Sequence, residues 1–454
     1  MKIIFKTCLV AITIGACAEY EEDLEQTNTY AANDQSAVDP ATPKDAQPYI
    51  LQTSAENGRV TGPPAGSWTQ VWSDEFDDSN LNTSKWNVLV SPWSRALTRR
   101  DPALEWWGYT ADNVWLEDGK LCLQSHKVSD SRLETGSVNT DNKFETTHGF
   151  FEIRVNVADP FQGAQTAFWF QGDNQGNVDK SGADGAEIDV FESTWTNEET
   201  KSNVHIDGYG DDTEKRPVWY HVPGLNDGYH TFGLEWAPGY MKIYYDGEHK
   251  VTYKGAFVPM VDEFIWLSVA ASFDYPNSPS GWGSRTNSGA DGFSKRAVGS
   301  KFISKIGYVR VWKSSQTPYY RIKNRETGKW FKVDGTSENT LVEQSSKNQI
   351  NSQTKWALQP TENGYFYFVN ENAGKYFRPE TSNNNADLIL KPTSFSGGWT
   401  QWKFIKAPGD EDYYHLKNRE TGKFIAPSSA SDGAAILQKP TSVDGKWTQW
   451  QVID

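Results

Sequence analysis

Glu187-Ile188-Asp189-Val190-Phe191-Glu192 is the stretch on which the reading of this chain turns. In a strand, residues two apart share a face, so Glu187 and Asp189 point the same way. Strict alternation sends Glu192 to the other face. A one-residue bulge at Val190-Phe191 returns it and sets three carboxyls in one row. Like charges crowded on one face are destabilising unless they share protons or find partners, so a structural strand has little use for this pattern. Glycoside hydrolysis has one. It needs a carboxylate as nucleophile and a protonated carboxyl as acid, roughly 5–5.5 Å apart when the anomeric configuration is retained. An acid between them can exchange a proton with the nucleophile and help keep the other protonated. The bland alternative is a decorative acidic strand.

Outward from this hexapeptide the pattern is β. Gly149-Phe150-Phe151-Glu152-Ile153-Arg154-Val155, Tyr240-Met241-Lys242-Ile243-Tyr244-Tyr245-Asp246-Gly247 and Tyr308-Val309-Arg310-Val311-Trp312 alternate and are separated by turn signals. Few helical periods occur between Trp68 and Trp312. Two packed antiparallel sheets are expected.

Four further segments surround the acidic strand: Trp72-Ser73-Asp74-Glu75-Phe76, Gly149-Phe150-Phe151-Glu152, Ala167-Phe168-Trp169 and Phe232-Gly233-Leu234-Glu235-Trp236. With Glu-Ile-Asp-x-x-Glu they resemble glycoside hydrolase family 16 over most of residues 66–314. The resemblance implies an all-β chain whose catalytic part is a concanavalin-like β-jelly-roll sandwich, a retaining endo-hydrolase of β-glucans or β-galactans working in an open cleft. Carried over by position, it implies Glu187 as nucleophile, Asp189 as its helper and Glu192 as general acid/base. Trp169 falls where the family lines its cleft with an aromatic; a buried core Trp is the other reading. His205, in Asn203-Val204-His205-Ile206-Asp207-Gly208-Tyr209, falls on the next strand, within reach of a catalytic carboxyl or a sugar, or is structural. Trp93, Trp106 and Trp107 stand in a loop-like stretch with Arg95, Arg99 and Arg100. Flat rings stack on sugars and guanidinium forks suit sulfate or carboxylate, although ordinary surface loops would look the same. Many family members hold a structural calcium with an Asp before the last sheet strand. Gly307 stands there, so the matching position does not support a structural calcium, which stays open, and the chemistry requires no cofactor.

Laminarinase-like members place Trp-Pro shortly before Gly-Glu-Ile-Asp, where this chain has Ser181-Gly182-Ala183-Asp184-Gly185-Ala186. That weakens a β-1,3-glucan reading. The basic, aromatic stretch from Trp93 to Trp107 leans instead towards a sulfated red-algal galactan of the agar, porphyran or carrageenan kind, with host O-glycan or keratan-like galactans as a further option. The rivals are a β-1,3- or β-1,3-1,4-glucanase, a non-catalytic surface glycan-binding protein, and an adhesin. Loss of at least one acid would be expected of an inactive protein, and all three are present.

From Tyr319 the chain repeats itself. Tyr320-Arg321-Ile322-Lys323-Asn324-Arg325-Glu326-Thr327-Gly328-Lys329 returns as Tyr414-His415-Leu416-Lys417-Asn418-Arg419-Glu420-Thr421-Gly422-Lys423. A weaker middle copy runs Tyr367-Phe368-Val369-Asn370-Glu371-Asn372-Ala373-Gly374-Lys375. Each copy closes on a Trp (Trp356, Trp402, Trp450), one supersecondary unit used three times. Residues 318–454 resemble a ricin-type β-trefoil, which implies a carbohydrate-binding module. The acid that such lobes carry after Gly-Lys is replaced by Lys332, Arg378 and Ala426. A degenerate spacer and a lectin for anionic sugars both fit, and the closing Trp residues are expected in the core.

The N-terminus reads as an address. Lys2 and Lys6 precede an apolar stretch from Cys8 to Ala16, and Ile14-Gly15-Ala16-Cys17 resembles a lipobox. Residues 1–16 are thus expected to be a lipoprotein signal with Cys17 lipidated, although an ordinary signal peptide would look similar. Residues 17–65 follow as a disordered acidic tether. Of three cysteines only Cys122 then remains, so no intramolecular disulfide is expected.

The composition limits the rest. With 44 basic and 59 acidic residues, 44 − 59 leaves a net charge of −15, which argues against a nucleic-acid partner. No apolar run reaches the roughly 18 residues of a membrane span. The expectation is a monomer of the bacterial cell envelope, either a surface-exposed outer-membrane lipoprotein or a secreted protein. It would meet a polysaccharide, and a membrane only through its lipid anchor.

Overall fold

The alternating segments form strands, as the computed structural model of the chain shows; it describes residues 61–92, 94, 105–160, 163–193, 198–271, 296–409 and 412–453. The proposed signal, Cys17, nearly all of the tether, Trp93, Arg95, Arg99 and Arg100 lie outside these residues. Two sheets carry the first domain. The larger runs Glu248–Lys254, Tyr240–Tyr245, His230–Ala237, Gly149–Asn156, Lys301–Ser314, Lys120–Ser129, Arg132–Thr135 and Trp106–Tyr109, with Trp68–Asp74 added along Lys301–Ser314. The facing sheet runs Glu214–Lys215, Glu199–Ile206, Glu187–Ser193, Ala164–Gln171, Glu263–Ala271, Ser137–Asn139 and Asn87–Val88. Nearly every pairing is antiparallel, and Trp106–Tyr109 joins its neighbour in parallel.

The core lies between the sheets. Phe151, Ile153, Leu234, Ile243 and Val309 from the larger sheet meet Phe168, Phe170, Ile188, Val190, Phe191 and Val204 from the other. One face of each strand is therefore committed to burial, which fixes register: a one-residue slip would turn this apolar set outwards. The Trp-Ser-Asp-Glu-Phe segment is explained locally. Asp74 accepts from the Phe76 amide and from Trp86 Nε1, while Glu75 takes a two-point contact from Arg310. Gly307 sits at a bulge against Arg154, whose Nη1 would lie 3.2 Å from a Cβ at that position. A guanidinium has no lone pair to offer a calcium ion, so Arg154 Nη1 is not a ligand at this position.

The threefold repeat folds as expected. An eight-stranded sheet from Arg321–Asn324 to Gln449–Ile453 is joined by two hairpins, Tyr376–Pro379 with Leu388–Lys391 and Phe424–Pro427 with Ile436–Lys439. Trp356, Trp402 and Trp450 are fully buried among Phe331, Phe368 and Phe377. The repeated Asn-x-x-x-Gly-Lys is a turn device. Asn324, Asn370 and Asn418 accept backbone amides of the turn through Oδ1, and Gly328, Gly374 and Gly422 take the left-handed conformation after them. Lys332 is paired with Asp334, Arg378 stands 5.3 Å over the Trp399 ring, and Ala426 is buried.

The two domains share a packed interface. Ala183, Ala256 and Met260 join the trefoil core cluster. Lys403 pairs with Asp179 at 2.7 Å, Lys406 with Glu214 at 2.7 Å, and the Tyr414 hydroxyl donates to the Lys254 carbonyl at 2.8 Å. The trefoil thus braces the segment 179–184, which leads directly into the acidic strand.

Candidate active site

The bulge lies where the carboxyl pattern demands one. Trp169 pairs with Asp189 and Phe168 with Phe191, leaving Val190 as the additional residue, and the pairing with the next strand also slips between Asp189 and Glu192. Ile188, Val190 and Phe191 all enter the core, Phe191 stacking on Phe232 at 3.9 Å. Two consecutive residues facing inwards return Glu192 to the outer face beside Glu187 and Asp189.

Because directly paired residues share a face, the register lays out the floor of the cleft in rows. One row reads Asn87, Asn139, Trp266, Trp169, Asp189, Asn203. The second reads Ser137, Ser268, Ala167, Glu192, Lys201, Trp219. The third reads Phe264, Gln171, Glu187, His205, Lys215. Tyr109, Gln165, Trp169, the three acids, Ser268 and Ala270 enclose a pocket at their meeting point.

Each acid is buried and held differently. Glu187 Oε2 accepts the Tyr209 hydroxyl. Glu192 Oε1 accepts Gln165 Nε2 at 3.2 Å, and its Oε2 lies 2.7 Å from Lys201 Nζ. His205 Nε2 is 3.4 Å from Glu187 Oε1 and 3.7 Å from Asp189 Oδ2. Asn203 Oδ1 accepts the Val204 amide, and Asn203 Nδ2 lies 2.5 Å from His205 Nε2. Burial, with Lys201 and Lys215 nearby, pushes the imidazole down to about 3, so it stays neutral. His205 therefore sits beside the carboxyls, with its near nitrogen also in contact with Asn203. Beneath the strand's start, Glu263 Oε1 accepts the Ala186 amide at 2.8 Å. Burial, reinforced by the Glu187 charge, raises the Glu263 carboxyl well above its ordinary range.

Glu187, Asp189 and His205 bring one ligand atom each within 4.8 Å of one another, the one such group among the described residues. Tyr209 donates to Glu187, Asn203 contacts His205 Nε2, and Asp189 Oδ2 is buried beside them, 3.7 Å from the same His205 nitrogen.

The aromatic expectations divide. Trp169 lines the pocket, yet its ring is stacked on Trp266 at 4.2 Å and its Nε1 donates to Ser268. It is both packed and part of the floor. Trp106 and Trp107 are on a strand, not in a loop. Trp107 is buried and cannot offer a face to a sugar, and Trp106 is half-buried with the Arg132 guanidinium 4.4 Å over its ring. The ring that this strand does supply to the pocket is Tyr109. Sequence reasoning missed Tyr109, Gln165, Lys201 and Tyr209. For Lys201 a signal existed: stepping back by two from His205 gives Asn203 and Lys201, one face of one strand.

Residues 105–263 match the model of the family described as Glycosyl hydrolases family 16, and residues 309–391 that of the Ricin-type beta-trefoil lectin domain-like family. Among curated relatives, glucan endo-1,3-beta-glucosidase A1 of Niallia circulans is 29% identical over 49% of this chain and 33% of its own length. Beta-porphyranase E of Zobellia galactanivorans is 27% identical over 40% of this chain and 67% of its own. Kappa-carrageenase of Pseudoalteromonas carrageenovora is 23% identical over 60% of this chain and 72% of its own. The chain thus spans a third of the first relative and about two thirds of the others. It carries a glycoside hydrolase family 16 domain followed by a ricin-type β-trefoil lectin-like domain.

Proposed function

We propose that the chain is a retaining endo-β-glycosidase acting on a red-algal galactan, sulfated, of the porphyran or carrageenan kind. The observation that carries the catalytic part is the bulged row of Glu187, Asp189 and Glu192 on the floor of one pocket. In this reading a Glu187 oxygen attacks the anomeric carbon while the glycosidic C–O bond breaks and Glu192 passes its proton to the leaving oxygen. Glu192 then takes a proton from water, which attacks the same carbon and releases Glu187. Asp189 shares a proton with the nucleophile between the steps. Trp169 supports the sugar as part of the floor, and His205 stays neutral beside the acids.

The galactan choice is supported by relatives that include two porphyranases and a carrageenase, and by Lys201 and Lys215 on the cleft face. The trefoil acts as a glycan-binding module or as a brace. Its Lys332 is committed to Asp334, which leaves Arg378 the better placed cation for an anionic sugar. A Cys17 lipid anchor and an envelope location complete the proposal, with a polysaccharide as partner and no cofactor in the chemistry.

The test is release of reducing ends from porphyran, carrageenans, agarose, laminarin and lichenan by the intact protein. Release from the galactans, abolished by Glu187→Gln or Glu192→Gln without unfolding, is expected. Cleavage of laminarin or lichenan alone would replace the substrate reading, and no release from any polymer would favour a binding protein.

A further inference from the structure

Glu192 has two oxygens, and each faces a donor. Gln165 Nε2 stands 3.2 Å from Oε1 and Lys201 Nζ 2.7 Å from Oε2. An ammonium has three donors and no acceptor, so this setting suits a carboxylate that only accepts. A general acid must instead present a proton from one of those oxygens to the leaving group. In the resting geometry the Oε2 lone pairs and Lys201 occupy the place where that proton would sit.

Lys201 can be moved, and the direction is set by its surroundings. It lies on the cleft face, directly opposite Glu192 and next in the row to Trp219. Along the same strand follow Asn203 and neutral His205, and beyond His205 the floor continues to Lys215. From the other side, among the described residues, Gln165, Ala167, Ser268 and Ala270 are uncharged, and Glu187 and Asp189 line the same pocket. The side chain is 11% exposed and that of Glu192 8%, so their contact is shielded from bulk water. A flexible four-carbon stem carries the ammonium, and an incoming anion is the natural competitor for it.

We propose that Lys201 is a specificity-determining residue that binds a sulfate ester on the sugar beside the scissile bond, and that this contact draws the ammonium off Glu192. The inference rests on the hydrolase reading above and deepens it. With Lys201 on the sulfate, Glu192 Oε2 takes up a solvent proton and delivers it to the glycosidic oxygen as the C–O bond breaks. The sulfate thereby serves as ligand and as release for the acid. A neutral substrate leaves the ion pair in place and is turned over more slowly.

The experiment compares kcat/KM of the intact protein on a sulfated galactan and on the same polymer after desulfation, for wild type, Lys201→Met and Lys201→Arg. A charge-assisted contact corresponds to about tenfold to a hundredfold in the sulfated-to-desulfated ratio. Lys201→Met is expected to collapse the ratio by that factor, and Lys201→Arg to retain most of it. In the inactive Glu192→Gln background, calorimetry with a sulfated oligosaccharide provides a readout independent of turnover: adding Lys201→Met should weaken its binding about tenfold or more and leave the desulfated oligosaccharide's binding unaltered. Equal loss on both polymers, or an unaltered ratio, overturns the proposal and leaves the hydrolase reading intact. A wild type that cleaves neither polymer removes the galactan reading together with the proposal.

Discussion

Gly364 sits in a trefoil turn at φ +72°, against the backbone that leads into the acidic strand. A Cβ there would come 2.3 Å from the Ala183 carbonyl carbon, 2.4 Å from its oxygen and 2.5 Å from the Asp184 nitrogen. Ordinary carbon contacts begin near 3.5 Å, so Gly364→Ala must separate the two backbones by about 1 Å. The left-handed conformation costs an alanine about 1 kcal/mol and overpacking about 1–3 kcal/mol more, together roughly 2–4 kcal/mol. For domains of this size that corresponds to a Tm lowered by roughly 4–16 °C. Gly374→Ala is the control, for it shares the positive φ and has no atom within 4 Å of its Cβ. It should lose only the backbone cost, roughly 2–4 °C. Because Glu187 follows Asp184 by three residues, a shift of about 1 Å should also lower kcat by about a hundredfold in Gly364→Ala alone. Scanning calorimetry and initial rates on the cleaved polymer measure both. Equal Tm losses in the two variants, or full activity in Gly364→Ala, would show that the trefoil does not brace the acidic strand.

Two further substitutions probe the site's surroundings. Glu263 holds its proton when folded, because burial raises it and the Glu187 charge adds to that, against the smaller opposing effect of the Ala186 amide. Between the ordinary carboxyl value and this raised one the folded chain binds more protons than the unfolded chain, so its stability falls as pH rises. Glu263→Gln keeps an acceptor for Ala186 and removes the titration; its Tm advantage over wild type should therefore grow as pH rises above the ordinary carboxyl range, and a pH-independent difference would refute the account. Tyr209→Phe removes the donor to Glu187, and kcat/KM should fall about tenfold to a hundredfold with Tm little altered. An unaltered rate constant would mean that the hydroxyl does not orient the nucleophile.

Much of the site was legible because strand geometry is local. A period of two and one bulge suffice to put Glu187, Asp189 and Glu192 on a common face, and the apolar Val190-Phe191 pair shows where the bulge must fall. Trp107 shows the limit. Its neighbours in sequence suggested a sugar-binding loop, but the stretch joins the larger sheet as an edge strand and buries the ring. Pairing partners hundreds of atoms apart are not encoded in a local window, and it is pairing that decides which ring faces the cleft.

The chain's own sequence therefore determined its β class, the row of three carboxyls, the threefold trefoil and its tryptophan core, since each follows from periodicity within a strand or from self-similarity between copies. Only the tertiary structure decided what each acid touches: Tyr209 on Glu187, Gln165 and Lys201 on Glu192, and the trefoil against residues 179–184. Those contacts depend on the register between strands and on how two domains dock, and both are set by burial of apolar faces across the whole fold rather than by any one segment.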